Sequence, residues 1–425
     1  LSTLVWYREK DLRVTDHGPL AEAGLDALPV FVGPASGLLA PRLGDLARRL
    51  ETLGSGLVHL EGDPLEELPR MALERGATAV LAHGFTEPAA RALEARLAPA
   101  LPCPLRLFPG ETLTAGPRTG AGGMFKVFTA YHRAFQREAH LAEPLEAPER
   151  LASVPPGLPR WPAGDLLPDH LATFLENGLA DYARARDRLD EDGTSRISAD
   201  LHFGTVSAAT CWAAASGRPG AEVWQRQLVW REFAHHLLRE WPDLLEKPFV
   251  GGFQDFPWRQ DGEAFRAWAE GRTGYPVVDA AALELLHTGH VHNRARMIAA
   301  SFLAKHLLVD YRLGEAHYLA HLEDADLANN SMGWQWSAGC GCDAQPWFRV
   351  FNPVLQGEKF DPRGAYVRRW LPALAPLPDR IVHRPWEGGG APGYPPPIVD
   401  HAWARARFLA LAKAHLATGE PRSRR

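Results

Sequence analysis

Sulfur is scarce in this chain, with four cysteines and four methionines in 425 residues. Cys103, Cys211, Cys340 and Cys342 are too few and too scattered for a disulfide framework. Cys340-Gly341-Cys342 has no second pair to complete a zinc site, so two reduced thiols in a loop are expected, and no metal. No uninterrupted apolar run is long enough to span a bilayer and no secretory signal opens the chain. A soluble, cytoplasmic protein without a membrane partner is therefore expected. Charge of neither sign dominates. The formal net charge of -5 excludes a protein that is basic all over, yet a local Lys/Arg patch is enough to neutralise phosphates. Two nucleotide signatures are also missing. No G-x-G-x-x-G follows the first strand-like stretch, and the glycine-rich run 116–123 is not followed by a lysine and hydroxyl placed at a helix start, as a phosphate-cradling loop needs, so a flexible loop is expected.

What is present divides into two patterns. Leu4-Val5-Trp6-Tyr7, Val30 to Gly33, Gly56 to Leu60, Ala79 to Ala82 and Leu105 to Phe108 read as short buried strands. Between them, Leu38 to Leu53, Pro64 to Arg75 and Glu87 to Leu97 carry apolar residues at helical spacing. Such alternation predicts a Rossmann-like α/β domain with a parallel sheet covered on both faces, over 1–130. Prolines crowd the following stretch (Pro148, Pro155, Pro156, Pro159, Pro162), which predicts an interdomain linker over 131–165. Beyond it strand signals fade and an all-α domain is expected over 166–425. Its expected helices include one that carries Leu167 through Tyr182 on one face and ends before Asp192-Gly193, and one from Val291 to Leu308, and the chain closes in a basic stretch, 422–425.

Within that helical part, polar groups recur where a bare core would be apolar. His292-Asn293-Arg294-Ala295-Arg296-Met297 leads into an apolar run, followed by Asp324-Ala325-Asp326-Leu327-Ala328-Asn329-Asn330 and Trp334-Gln335-Trp336. Each such group loses free energy on burial unless it finds a partner, so the cluster points to a site for a large polar-aromatic ligand. Fourteen tryptophans fit that reading, since indole stacks well on aromatic ligands and bases. Thr194-Ser195-Arg196-Ile197-Ser198 offers hydroxyls and free backbone N–H groups ahead of a helix, which suits a phosphate as well as an ordinary N-cap. Trp224, Gln227, Trp230 and Arg231 share one helical face by their spacing.

In their order and spacing these stretches resemble the photolyase/cryptochrome family, most closely its class I cyclobutane pyrimidine dimer photolyases. The likeness rests on Leu4 to Arg8, Lys126-Val127-Phe128-Thr129, Thr194 to Ser198, Trp230-Arg231-Glu232-Phe233, Thr273-Gly274-Tyr275-Pro276, His292-Asn293-Arg294, Gly333 to Trp336 and Arg349 to Pro353. The resemblance implies a buried FAD held by Tyr182, Thr194, Ser195, Arg196, Ile197, Ser198, Trp224, Gln227, Arg231, Asn293, Arg296, Asp324, Asp326 and Asn330, with Arg296 paired to an aspartate. It places Asn330 opposite flavin N5. It also implies UV-damaged DNA as partner, with a flipped pyrimidine dimer met by Arg186, Gln227, Trp230, Asn293, Arg294, Met297, Trp336 and Gln356. The activity implied is light-driven dimer splitting by a monomer. A second, antenna chromophore is possible in the family, and nothing in 1–130 identifies it.

Three positions depart from the family pattern. Gln227 stands where dimer photolyases usually carry glutamate. The electron relay implied by Trp334 and Trp258 has Tyr311 in place of a middle tryptophan, and an oxidised phenol must shed its proton. His290 replaces an aromatic. A (6-4) photolyase would need two histidines where Asn293 and Met297 stand, and a cryptochrome-like photoreceptor would keep the flavin without repair.

Overall fold

The computed structural model describes residues 2–418, so the basic stretch 422–425 lies outside the described residues. By contact the chain forms two compact units interleaved along the sequence. One comprises the residues through Met124 with Tyr131–Ala180 and Ser195–Pro242; the other comprises Phe125–Ala130, Asp181–Thr194 and the residues from Asp243 onward. This line differs from the sequential division at 130 and 165, and the helix Phe128–Glu138 already occupies the start of the expected linker.

The first unit is built on five parallel strands: β1 (Thr3–Tyr7), β2 (Ala27–Val32), β3 (Val58–Leu60), β4 (Ala79–His83) and β5 (Leu105–Phe108), in the order β3-β2-β1-β4-β5. Alternation along β1 sends Val5 and Tyr7 to one face and Leu4 and Trp6 to the other. The first face packs on α1 (Gly18–Ala23) and α2 (Leu39–Thr52) through Leu20, Leu43, Leu46 and Leu50. The second packs on α3 (Pro64–Arg75) and α4 (Pro88–Ala100) through Leu68, Met71 and Leu97. Both faces are covered, and for that reason the strands read as continuous apolar runs. Helix α3 has the expected bounds because its ends are chemically marked. Asp63 caps it by accepting from Leu65 N, Pro64 sits at the first position, and Gly76 closes it in the left-handed region.

The helix Ala221–Glu240 belongs by contact with the sheet. The buried Glu232 carboxylate accepts from Leu113 N, Thr114 N and Thr114 Oγ1 at 2.6–2.8 Å, and Arg231 donates to Glu111 O at 2.6 Å. Half of the Trp-Arg-Glu-Phe motif is therefore a clamp on the loop after β5.

The second unit is helical. The expected single helix from Leu167 through Tyr182 begins in the first unit and is instead three pieces, His170–Asn177 of the first unit, a 3-10 turn Leu179–Asp181, and Tyr182–Ala185 of the second, because the chain breaks at Gly178. The expected run from Val291 to Leu308 is likewise divided. His292 caps the helix Asn293–Ser301 by accepting from Arg294 N. A π turn, Phe302–His306, follows, closed by Leu307 N donating to Phe302 O, and Leu308 turns left-handed at φ 57°. Its buried Lys305 donates to Arg349 O, and His306 stacks on Phe302. Among the described residues no helix is long and apolar enough to cross a membrane.

Two helices of this unit meet at a glycine. A Cβ on Gly314, in Tyr311–His321, would lie 2.2 Å from Trp334 Cη2 and 2.6 Å from Leu303 Cδ2. Neither a packed indole nor a core leucine has room to retreat. We expect Gly314→Ala to cost about 1–3 kcal/mol from overpacking, against a gain below about 1 kcal/mol in helix propensity. Thermal unfolding should therefore show a Tm lower by a few degrees; an unchanged Tm would refute the tight contact.

Candidate functional site

Between β1 and β4 the order in which strands are added switches from one side of the sheet to the other, the place where doubly wound parallel sheets take ligands. Here the chain's own side chains fill it. The Arg8 guanidinium lies over Trp6 (4.8 Å) and Phe85 (4.3 Å) and pairs with Glu94, while Gly110 is pressed on the His83 ring so closely that a Cβ would sit 2.3 Å from it. Asp11, His17 and His83 also meet here, fully buried, with ligand atoms close enough for a metal. Protonation argues otherwise. His17 Nδ1 accepts from Leu20 N, so Nε2 carries the proton and faces Asp11 at 3.7 Å, an electrostatic contact longer than a hydrogen bond. His83 Nδ1 lies 3.1 Å from the same carboxylate. Burial pushes His17 down to about 3, and the two histidines hold Asp11 far below the usual carboxylate range in spite of its burial. The cluster is a carboxylate between two neutral imidazoles, one of them hydrogen-bonded to it.

On the segment 194–198, Arg196 adopts φ 53° and Ile197 follows at φ -88°, ψ 0°, directly before the helix Ser198–Phe203. A left-handed residue followed by a right-handed one turns successive N–H groups toward a common point, a concavity suited to an anion. Ile197 is buried, whereas Arg196 and Ser198 are exposed. Along Ala221–Glu240, Trp224 is almost fully buried against Phe174 (5.2 Å), Gln227 donates to its own helix at Val223 O, and Trp230 packs edge-on against Phe233. Arg231 is engaged with the Glu111 carbonyl, as above.

In the helical unit the expected Arg296 pair is present and bidentate in the reverse sense. One guanidinium nitrogen, Nη2, lies 2.9 Å from both oxygens of Asp324, while Nε donates to Val291 O at 2.7 Å. Asp326 caps the helix Leu327–Ala338, accepting from the backbone and side-chain amides of Asn329. Asn330 Nδ2 donates to Glu315 O at 3.0 Å, which fixes the amide and leaves its oxygen to accept. Tyr182 is buried beneath the Arg186 guanidinium at 5.5 Å. Asn293 is exposed, its amide 3.7 Å from Met297 Sδ. Arg294 pairs with Asp187 at 2.7 Å and lies over Phe360. Trp336 and Gln356 are partly exposed.

The three residues expected to form an electron relay, Trp334, Tyr311 and Trp258, are not strung in simple series. Tyr311 and Trp258 have ring centroids 6.2 Å apart, but Trp334 packs against the rings of Tyr318 at 5.0 Å and Trp268 at 5.8 Å. Trp334 touches the Tyr311 helix through Gly314. Sequence reasoning missed Trp268, Tyr318 and Glu315. For Glu315 a signal existed, its place four residues after Tyr311 on one helix. His290, unexplained by the motifs, lies 3.5 Å from Glu284, a carboxylate that also accepts from Tyr366 OH and His292 N.

Each unit, taken by itself, carries polar groups of the kind that suit the flavin dinucleotide implied by the resemblance. The 194–198 turn offers N–H groups to a pyrophosphate. His292 accepts at Nδ1, so its Nε2 is an N–H donor; that atom and Arg294 Nε are buried with no protein partner in the structure. Asn330 offers a neutral acceptor held at fixed orientation.

Comparison with known proteins agrees. Residues 3–149 match the family described as DNA photolyase, and residues 224–414 match the FAD binding domain of DNA photolyase. A deoxyribodipyrimidine photo-lyase of Agrobacterium fabrum is 37% identical, covering 97% of this chain and 97% of its own length. The solved structure of a bacterial class III photolyase from Agrobacterium tumefaciens is similar at TM-score 0.89 and 36% identity over 98% of each chain. A Synechocystis sp. PCC6803 cryptochrome is similar at TM-score 0.85 and 26% identity, over 96% of this chain and 99% of its own. With its parallel-sheet unit, its helical FAD-binding part and near full-length relatives, this chain belongs to the DNA photolyase family.

Proposed function

We propose that this protein is a deoxyribodipyrimidine photo-lyase that repairs cyclobutane pyrimidine dimers in UV-damaged DNA under blue light, acting as a cytoplasmic monomer. The observation that carries the reading is Asn330, a neutral amide whose nitrogen is tied to Glu315 O and whose oxygen is left to accept. Bound FAD supplies, in its reduced state, the photoexcited electron that opens the dimer and takes it back afterwards. Thr194, Ser195, Arg196, Ile197 and Ser198 hold its pyrophosphate. Tyr182, Trp224, Gln227, Arg231, Asn293, Arg296, Asp324 and Asp326 hold the remainder. Asn330 accepts at N5, where a carboxylate would repel the charge of the reduced flavin. Trp230, Trp336 and Met297 wall the lesion pocket and exclude water, and flipping is cheapest for a base pair that already stacks badly. Asn293 and Gln227 bond the flipped bases, and Arg186, Arg294 and Gln356 meet the backbone.

The class I likeness is not part of this proposal, because a class III photolyase matches across the whole chain. An antenna chromophore, if bound, is not assigned to the β1/β4 crevice, which Arg8, His83 and Phe85 occupy. The second reading is a cryptochrome-like photoreceptor, favoured by the similarity to the Synechocystis protein. One assay separates the two.

Purified protein should carry about one non-covalent FAD per chain and, once reduced, should restore dimer-containing oligothymidylate under blue light. Flavin binding without repair would select the photoreceptor; a colourless chain that cannot be reconstituted would end both readings. Asn330→Asp should reoxidise in air faster than the parent, followed as return of oxidised-flavin absorbance, and equal lifetimes would contradict the role of the amide. Arg294→Ala should weaken binding to damaged DNA and reduce the salt slope by about one or less, since Asp187 already offsets part of the arginine's charge. A slope that does not move would place the phosphate contacts elsewhere.

A further inference from the structure

Light-driven reduction of an oxidised flavin needs an electron route from the surface inward, and the ring contacts of Trp334 decide where it runs. Trp334 is buried, and two rings pack edge-on against it, Tyr318 at 5.0 Å and Trp268 at 5.8 Å. Its Cη2–Cζ3 edge faces Gly314, which carries no ring, and among the described residues the ring partner of Tyr311 is Trp258. Electron hopping slows steeply as the gap between rings widens. The electron that refills an oxidised Trp334 therefore comes from Tyr318 or Trp268.

These two differ in what becomes of the proton. A phenol has a pKa of about 10 and its oxidised form is a very strong acid, so a buried tyrosine gives up an electron readily only when a base takes the proton. Burial raises the pKa of Tyr318 above that value, with Arg296 opposing, and its hydroxyl makes no hydrogen bond to a described residue. An indole can lose an electron and keep its N–H. Trp268 Nε1 donates to Ala299 O at 3.0 Å, and a peptide carbonyl accepts that hydrogen bond without being base enough to take the proton. The near-parallel rings of Tyr318 and Phe265, both at 5.9 Å, present π electrons that favour a positive charge on Trp268. His317 lies edge-on at 5.6 Å and does not oppose that charge, because burial, then His321, pushes its pKa down to about 4 and leaves it neutral.

We propose that Trp268, packed on Trp334 and hydrogen-bonded to Ala299 O, is the residue that refills Trp334 during light-driven reduction of the flavin, in place of Tyr311 and Trp258. The proposal rests on the reading of Trp334 as the residue that gives the first electron. When Trp334 has given one electron to the photoexcited oxidised flavin, one electron passes from Trp268 to the Trp334 radical cation and restores it. Trp268 is left a radical cation whose N–H stays bonded to Ala299 O, so no bond to hydrogen breaks. A thiolate in solution then gives one electron to Trp268 from the side of Phe265 and His317, both half-buried, and leaves as a thiyl radical. Two thiyl radicals couple to a disulfide, which closes the electron balance.

The test is flash photolysis of the FAD-loaded full chain with a thiol, in H2O and D2O, read as the spectrum and lifetime of the amino-acid radical. In the parent, a tryptophan radical cation should persist until the thiol removes it, should form equally fast in both solvents, and should not be accompanied by a tyrosyl radical. Trp268→Phe should lose the long-lived radical, because the Trp334 radical cation then recovers its own electron, whereas Tyr311→Phe should keep it. Should Trp268→Phe not take up FAD, the double variant Trp258→Phe with Tyr311→Phe leaves Trp268 in place, and its photoreduction should match the parent's. A long-lived radical in Trp268→Phe, its loss in the double variant, or a tyrosyl radical with a solvent isotope effect in the parent would overturn the proposal alone. Light-driven reduction that survives Trp334→Phe would overturn the reading of Trp334 as first donor and this proposal with it. A parent chain that takes up no FAD would end the flavin reading on which both stand.

Discussion

The helical unit depends on one partly buried ion pair, Arg296 on Asp324. It ties the helix Asn293–Ser301 to the turn that precedes Leu327–Ala338, and the rest of the candidate site follows from that tie. With Asp324 held, Asp326 falls at the cap of the next helix, Asn330 comes one turn later against Glu315, and Trp334 a further turn on against Gly314. A pair removed from water is a poor source of net stability, and loss of one partner would leave the other uncompensated. Its value here is registration: it sets which residues of the second helix face inward.

The sheet unit solves the same problem of buried charge by surrounding carboxylates with donors. Glu232 draws two backbone N–H groups and a hydroxyl, and Asp11 draws Arg8 N and two imidazoles. Burial works against the charged form at both, and its outcome differs. At Glu232 desolvation wins and the pKa rises; at Asp11 the donors win and it falls. The number of donors alone does not decide the sign. Histidines whose own pKa values are depressed can still hold a carboxylate ionised, because hydrogen bonding to the anion does not require a positive charge.

Much of the fold was legible in the sequence where local chemistry and tertiary need coincide. The strands of the sheet were apolar throughout because both faces are covered, and α3 was bounded by Asp63, Pro64 and Gly76. Legibility failed where a helix changes course for a distant reason. The break at Gly178 and the π turn at 302–306 lie inside runs with unbroken apolar spacing; the latter accompanies contacts of Lys305 with Arg349 and of His306 with Phe302, one of them far away in sequence. In the site, the Arg296 and Asp324 pairing was readable from residue type. That Trp334 meets Trp268 and Tyr318 was not, since no spacing rule links residues 268 and 334. The motif Trp-Arg-Glu-Phe shows the opposite limit: it marked a ligand face, yet Glu232 and Arg231 fasten a loop.

Gln335 has a further consequence. Between two tryptophans on the same helix, this fully buried amide donates to Leu244 O and Lys247 O and accepts from Phe249 N, locking the loop that runs beneath the helix. Its neighbour Trp334, about 100° round the helix, is wedged against Gly314. A helix gripped at both residues can neither roll nor slide without breaking three hydrogen bonds or an aromatic contact. Tunnelling between aromatic rings depends on separations held to a fraction of an ångström, and close-packed interiors resist compression. For the electron relay proposed through residue 334, this scaffold would be a spacer of fixed length, in which the medium has little rearranging to do.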